Sequence, residues 1–446
     1  MKTLLGISNA IFVLFLLFTL NACNNSDPTS PSVPVINPFS NGGTERNMIV
    51  IMSDMHLGAD LSYAECNNNL PALEKLIKQI KVSPNVKELV IAGDLIDEWF
   101  VPATTNTYEG AGQSGFVTRL AATNSGVFAA INSIILEGLI LVTYVPGNHD
   151  LTITAANIDG VLPGINQARD AVQGLGTYSP FGQPKIAIEH GHRYNLFCAP
   201  DPYSNQTIAP GTIMPPGYFF TRIVALSVKQ NSPPPGDTTS VVTPNLSGGT
   251  SQDLLYRYWK NWYIAVNLFH ISNRFDENII VTNVNGFTGT FKVDDLIPFQ
   301  SSPGGFINVN LFNGCQETWD ARQTYNNVPV HISTSRAIDS VNSGTEVDYQ
   351  ATLQYFMNPI SNKRLVVFGH THVPKITTSQ NYLNEKCVYA NSGTWVDSNS
   401  AMTTMKTRHF VVITPQDGGA SSQTLVKLYT FENEVVTKMD ENSLRF

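Results

Sequence analysis

The chain has 446 residues, enough for one large domain with insertions or for two domains. Its 42% hydrophobic and 14% charged residues describe a globular protein and exclude an intrinsically disordered one. With 35 acidic against 27 basic side chains, a net charge of -8 and no basic run, it lacks the cationic surface on which general nucleic-acid binding depends. Any phosphate-handling site must then take its positive charge from elsewhere, and metal ions are the obvious source.

In chain order, Lys2 precedes an apolar stretch from Leu4 to Leu20 and then "LNAC". A charged end, an apolar segment and a small residue before cysteine predict an export signal over 1–22. The box resembles that of a bacterial lipoprotein, which implies an exported, membrane-anchored protein attached through a lipid on Cys23; an uncleaved membrane anchor is the alternative. Residues 23–46, rich in Pro, Ser, Asn and Gly, read as a flexible tether. Four further cysteines (Cys66, Cys198, Cys315, Cys387) suit either two disulfides or free buried thiols.

"NMIVIMSDMH" (47–56) has the short apolar run of a buried strand. Leu70, Leu73, Leu76, Ile77 and Ile80 follow at helical spacing, with Pro71 in the tolerated first turn. "KELVIAGD" (87–94) is a second strand, 124–137 a second helix and "LILVTYVPGNHD" (139–150) a third strand. This alternation predicts an α/β domain with parallel strands and right-handed crossovers. Strands are also expected at 185–192, 364–372 and 387–395, with a terminal hairpin from "RHFVVIT" and "LVKLYTF". The pattern weakens between 193 and 360, which reads as a cap or insertion between domain parts 47–192 and 361–446. Within it, Trp259, Trp262 and Tyr263 sit at helical spacing and are expected in a core.

Five of these strands end in groups that bind metals or phosphate: Asp54 and His56, Asp94 and Asp97, Asn148 to Asp150, His190 and His192, His370 and His372. Ligands gather beyond the carboxyl ends of parallel strands, so the five groups should meet at one rim. Mixed imidazole and carboxylate donors suit zinc, iron or manganese. A carboxylate such as Asp94 can bridge two cations, which explains the crowding of Asp94, Asp97 and Glu98 behind an apolar run. His270, His331 and His409 lie outside the blocks and are expected at the surface or in the core.

The blocks D-x-H, G-D-x-x-D, G-N-H-D, a later His and G-H-x-H occur here in order, and together resemble the calcineurin-like metallophosphoesterase superfamily over 47–397. A weaker similarity of "GDLIDEWF" and "EHGHRYN" points to its UDP-diacylglucosamine pyrophosphatase-like branch. The resemblance implies a four-layer α/β sandwich, two mixed β-sheets flanked by helices, with a large inserted cap. It also implies two divalent ions (Mn, Zn or Fe), one held by Asp54, His56, Asp94 and His372, the other by Asp94, Asn148, His190 and His370, with His192 the alternative to His190. His149, oriented by Asp97, would assist the leaving group while a hydroxide bridging the two metals attacks a phosphate mono- or diester or a pyrophosphate. A non-catalytic surface-binding lipoprotein on the same scaffold is the competing expectation.

Overall fold

Each strand of the apolar runs divides its side chains between two buried environments. In the computed structural model, which describes residues 37–398, 407–416 and 423–446, Ile49, Ile51, Val90 and Ala92 join one apolar cluster, whereas Val50, Met52, Leu89 and Ile91 join another. Both faces of these strands are buried, so the sequence shows continuous apolar runs rather than alternation.

The chain begins with β1 (Met48–Met52), α1 (Leu70–Lys81), β2 (Val86–Ala92), α2 (Gly112–Thr123), α3 (Ser125–Glu137), β3 (Leu141–Val145), α4 (Ala155–Val161), β4 (Asn166–Gln167) and β5 (Ile186–Ile188). The middle stretch carries α5 (Pro216–Lys229), α6 (Gly249–Leu268), β6 (Ile280–Thr282), β7 (Gly289–Phe291), β8 (Phe299–Gln300), β9 (Ile307–Asn308), α7 (Cys315–Tyr325), α8 (Thr334–Asp339) and α9 (Gly344–Ala351). After it come β10 (Leu365–Phe368), β11 (Lys375–Gln380), β12 (Lys386–Asn391), β13 (His409–Thr414), β14 (Thr424–Glu432) and β15 (Val435–Leu444).

Seven strands form one mixed sheet in the order β15-β14-β13-β1-β2-β3-β4, and four form a second in the order β11-β12-β10-β5. β1 to β4 are mutually parallel, as are β5, β10 and β12. β13, β14, β15 and β11 run antiparallel to their neighbours. The sheets stack through Ile51, Val90, Ile188, Val367 and Val411. Outside the larger sheet lies α1, with Leu73, Leu76, Ile77 and Ile80 buried; each such side chain contributes about 1.5 to 3 kcal/mol by leaving water. The outer face of the smaller sheet is covered by Tyr194 and Tyr355 against Phe368. The fold is thus the expected α/β sandwich of two mixed sheets with flanking helices.

Residues 193–360 do not build an isolated core. Phe197, Trp262 and Trp319 belong to the same contiguous apolar cluster as Val50 and Leu76, and Trp259 and Trp262 are buried as expected, whereas Tyr263, on the outer side of the same helix, is exposed. Arg222, fully buried on α5, fixes this stretch to the loop after β2. Its guanidinium donates to the carbonyls of Val101 (2.6 Å), Pro102 (3.1 Å) and Ala103 (3.3 Å).

The predicted signal over 1–22 and the tether as far as residue 36 lie outside the described residues. The last ten residues assigned to the tether are packed rather than extended. Phe39 is buried against Phe410, and Asn85 Nδ2 donates to the carbonyls of Gly43 and Glu45. All four body cysteines are free thiols. Among the described residues no single helix is long and apolar enough to cross a membrane.

His409, at the start of β13, is fully buried, and neither ring nitrogen has a hydrogen-bond partner among the described residues. Burial lowers its pKa from 6.5 to about 4. Between those values the unfolded chain binds a proton that the folded chain excludes, so this residue weakens the fold as pH falls from 6.5 to 4. The loss is about 1.4 kcal/mol per pH unit. His409→Leu should therefore flatten the fall of denaturant-derived stability between pH 7 and 4.5 relative to the wild type; an unchanged acid slope contradicts this account.

Candidate metal centre

The candidate residues sit on sharp backbone reversals immediately beyond the strands. Asp54 (φ 52°), His56 (φ 46°), Asp94 (φ 51°), His370 (φ 67°) and His372 (φ 58°) all occupy the left-handed region, where residues other than glycine are uncommon and which is enriched at functional sites. The reversals are braced against one another. Asp54 N donates to Gly93 O (3.1 Å), and Met55 N and His56 N both donate to Asp94 O (2.9 Å). Gly93, at φ 91°, lies where a β-carbon would overlap the His190 ring, and a β-carbon on Gly147 would overlap the Asp94 carboxylate. Both glycines are needed for close approach.

Through these turns the two sheets deliver their polar residues to one point. Asp54, Asp94 and Asn148 come from the larger sheet, and His190, His370 and His372 from the smaller. Asp54 Oδ1 lies 3.1 Å from His372 Nε2, and His372 Nε2 lies 3.1 Å from His56 Nε2. Asp94 Oδ2 lies 3.0 Å from His190 Nε2 and 3.6 Å from His56 Nε2, between the two sets. Asn148 Oδ1 approaches His190 Nε2 (3.1 Å) and His370 Nδ1 (2.8 Å). Donor atoms of Asp54, His56 and His372, and separately of Asp54, Asp94 and His190, lie within 4.8 Å of one another and have the composition to hold a metal ion.

The tautomers are consistent with that use. His190 Nδ1 donates to Ala92 O (2.9 Å), which points Nε2 at Asp94 and Asn148. His56 Nδ1 faces Asp97 Oδ2 (2.9 Å), which turns its Nε2 toward His372. Two imidazole nitrogens and two carboxylates facing one another in a buried space repel unless protons or cations lie among them. Burial opposes ionisation of Asp94, yet His190, His149 and His56 outweigh it and hold its carboxyl well below the usual range. Burial and the neighbouring His190 push His370 down to about 3. The donor set therefore fits transition-metal ions.

Beside the cluster, His149 Nδ1 lies 2.8 Å from Asp97 Oδ1, and its ring packs on Trp99 at 5.1 Å. Burial disfavours the His149 cation, but Asp97 prevails and raises its pKa. Asp97 also accepts from the backbone N–H of Trp99 and Phe100 (3.0 and 2.6 Å), so its orientation is fixed from four sides. His192 is directed elsewhere: its Nε2 donates to Gly174 O (3.1 Å). Asp150 accepts from Gly147 N and Leu95 N and pins the loops. Glu98 is buried among Tyr108, Gln113 and Thr152.

Glu65 was not foreseen in the sequence. Its Oε2 reaches 3.2 Å from His56 Nδ1, and burial lifts its pKa to about 7. It lies in an irregular loop with no flanking motif, so only the fold reveals it. Asp348, on α9, is a second unforeseen participant: it accepts from Tyr389 and from Thr371 Oγ1 (3.4 Å), the residue between His370 and His372.

No curated protein matches the chain. Residues 48–214 match the family model for calcineurin-like phosphoesterase, an interval that contains Asp54, His56, Asp94, Asn148, His149 and His190. That interval is similar to the calcineurin-like phosphoesterase family, and the smaller sheet brings His372 to the same cluster from outside it.

Proposed function

We propose that the protein is a phosphoesterase with a dinuclear metal centre that hydrolyses a phosphate mono- or diester. The observation that carries this is the convergence of six donor side chains with Asp94, and the His149–Asp97 pair alongside. One cation would be held by Asp54, His56, Asp94 and His372 and the other by Asp94, Asn148, His190 and His370. When bound, the two ions supply Lewis acidity toward the phosphoryl oxygens and lower the pKa of the attacking water.

The chain's own residues do the rest. Asp97 accepts the Nδ1 proton of His149 and so turns Nε2 outward with its tautomer fixed. From that position His149 holds a proton for the departing oxygen. The packing of its ring on Trp99 restricts the imidazole to this orientation. Asp97 also orients His56, so one carboxylate aligns a ligand and the acid together. The N-terminal sequence supports an exported body anchored through Cys23. Nothing in the donor set favours a non-catalytic scaffold, since burying so many carboxylates and imidazoles without a cation is costly.

Three outcomes test the reading. The purified chain should take up two divalent ions, measured by elemental analysis after dialysis, and gain stability from them, by roughly 2.7 kcal/mol for each ion at a hundredfold excess over its dissociation constant. Asp94→Asn should lose at least one ion and most turnover of p-nitrophenyl phosphate; retention of two ions at wild-type affinity counts against a bridging Asp94. His149→Gln should keep both ions yet lose about two to four orders of magnitude in kcat. The loss should be greater for an alkyl ester than for p-nitrophenyl phosphate, whose leaving group needs less protonation, and equal wild-type rates on both would remove His149 from the reaction.

A further inference from the structure

The candidate metal cluster forms only one side of a pocket. The opposite side is made by Trp99, Phe100, Phe197, Phe220, Val224 and Val341, four of them from the inserted stretch. No Lys or Arg is among the described residues that line it, and Glu65, beside His56, adds a buried carboxyl.

The insertion does bury three arginines nearby, but each is engaged elsewhere. Arg193 pairs with Glu189 (2.7 Å) and Asp170 (2.9 Å). Arg222, one residue from Thr221 of the pocket wall, spends its donors on backbone carbonyls. Arg322 faces Asp201 (3.4 Å) and the carbonyls of Leu196 and Ala199. A second phosphate placed along this wall would therefore meet aromatic rings and a carboxyl, with no Lys or Arg among the described lining residues to offset its desolvation. The Nε1–H of Trp99 has no partner among the described residues, which leaves a neutral donor at this wall.

From this wall we infer that the substrate is a phosphate ester of an uncharged apolar alcohol, alkyl or aryl, and not a nucleoside diphosphate or a pyrophosphate. The inference rests on the phosphoesterase reading for its site and on the insertion for its content. The apolar wall lies against His149, so the leaving alcohol occupies it while the phosphoryl group faces Asp94, His370 and His372.

The test is a homologous series in which leaving-group chemistry is nearly constant: ethyl, butyl and hexyl phosphate, with ADP as the charged competitor, on the metal-loaded full chain. Burial of each methylene should raise kcat/KM about fourfold, hexyl phosphate should exceed ADP, and Phe220→Ala should flatten the slope. Calorimetric affinities for ethyl-, butyl- and hexylphosphonate, which need no turnover, should rise in parallel. A flat or inverted chain-length series in both rate and affinity, or preference for ADP, overturns the inference. If p-nitrophenyl phosphate is cleaved while the series is flat, the apolar subsite falls and the phosphoesterase reading stands. If no ester is cleaved but phosphonate affinity climbs with length, the subsite stands and the hydrolytic reading falls.

Discussion

The structure depends on one electrostatic constraint: the carboxylates of Asp54 and Asp94 and four imidazoles are held, buried, in one cluster. In water such groups cost nothing to ionise, whereas inside a protein each charge needs a partner. The metal-free chain can supply partners only by pairing His⁺ with Asp⁻. That leaves His190 raised to about 9 while His370, its neighbour, is forced down to about 3. Groups of one kind driven so far apart mark a site arranged for something other than its own protons. Divalent cations would satisfy these lone pairs together.

The same constraint explains the backbone. Five of the clustered residues adopt left-handed conformations that cost on the order of 1 kcal/mol or more each, and such turns persist only when their surroundings over-determine them. Here the surroundings are the paired loops after β1 and β2 and the stacked sheets, whose interior side chains fix the spacing between the strand ends. Asp54 shows how tightly the halves are joined. Its carboxylate accepts the backbone N–H of His370 (3.0 and 3.1 Å), 316 residues away, while its carbonyl accepts from Trp395 N (3.0 Å). Neither sheet alone makes the centre.

What the sequence revealed follows from where packing leaves a periodic or local mark. β1, β2, β3, β5, β10 and β12 were legible because both faces are buried, and their terminal Asp, Asn and His residues because each strand end repeats the pattern. α5 was not legible. Tyr218, Phe219, Arg222, Ile223, Val224 and Leu226 are all buried, so no single apolar stripe stands out. β11 and β15 escaped for the opposite reason, since exposed edge strands such as "VVTKMDENSL" carry mostly polar side chains. Glu65 and Asp348 join the site through tertiary contact alone, and a lone acidic residue in a loop or short helix gives no local signal. For His190 against His192 the residue types were equal; the hydrogen bonds to Ala92 and Gly174 separate them.

The insertion acts on the centre from behind as well as from across the pocket. Asp348 of α9 takes Lys375 Nζ (2.5 Å) and the Tyr389 hydroxyl, and Asn391 Nδ2 closes the network by donating to Gly369 O (2.7 Å) and Thr371 Oγ1 (3.0 Å). The loop that carries His370 and His372 is thereby clamped between a strand end and a helix of the insertion. On the next strand, buried Glu189 accepts from Tyr194 and, from the insertion, Tyr355 (both 2.7 Å) directly before His190. Three of the imidazoles thus owe their orientation partly to residues 193–360, the stretch that also supplies most of the apolar wall. A change in that stretch would therefore reach His190 through Tyr355 and the His370–His372 loop through Asp348.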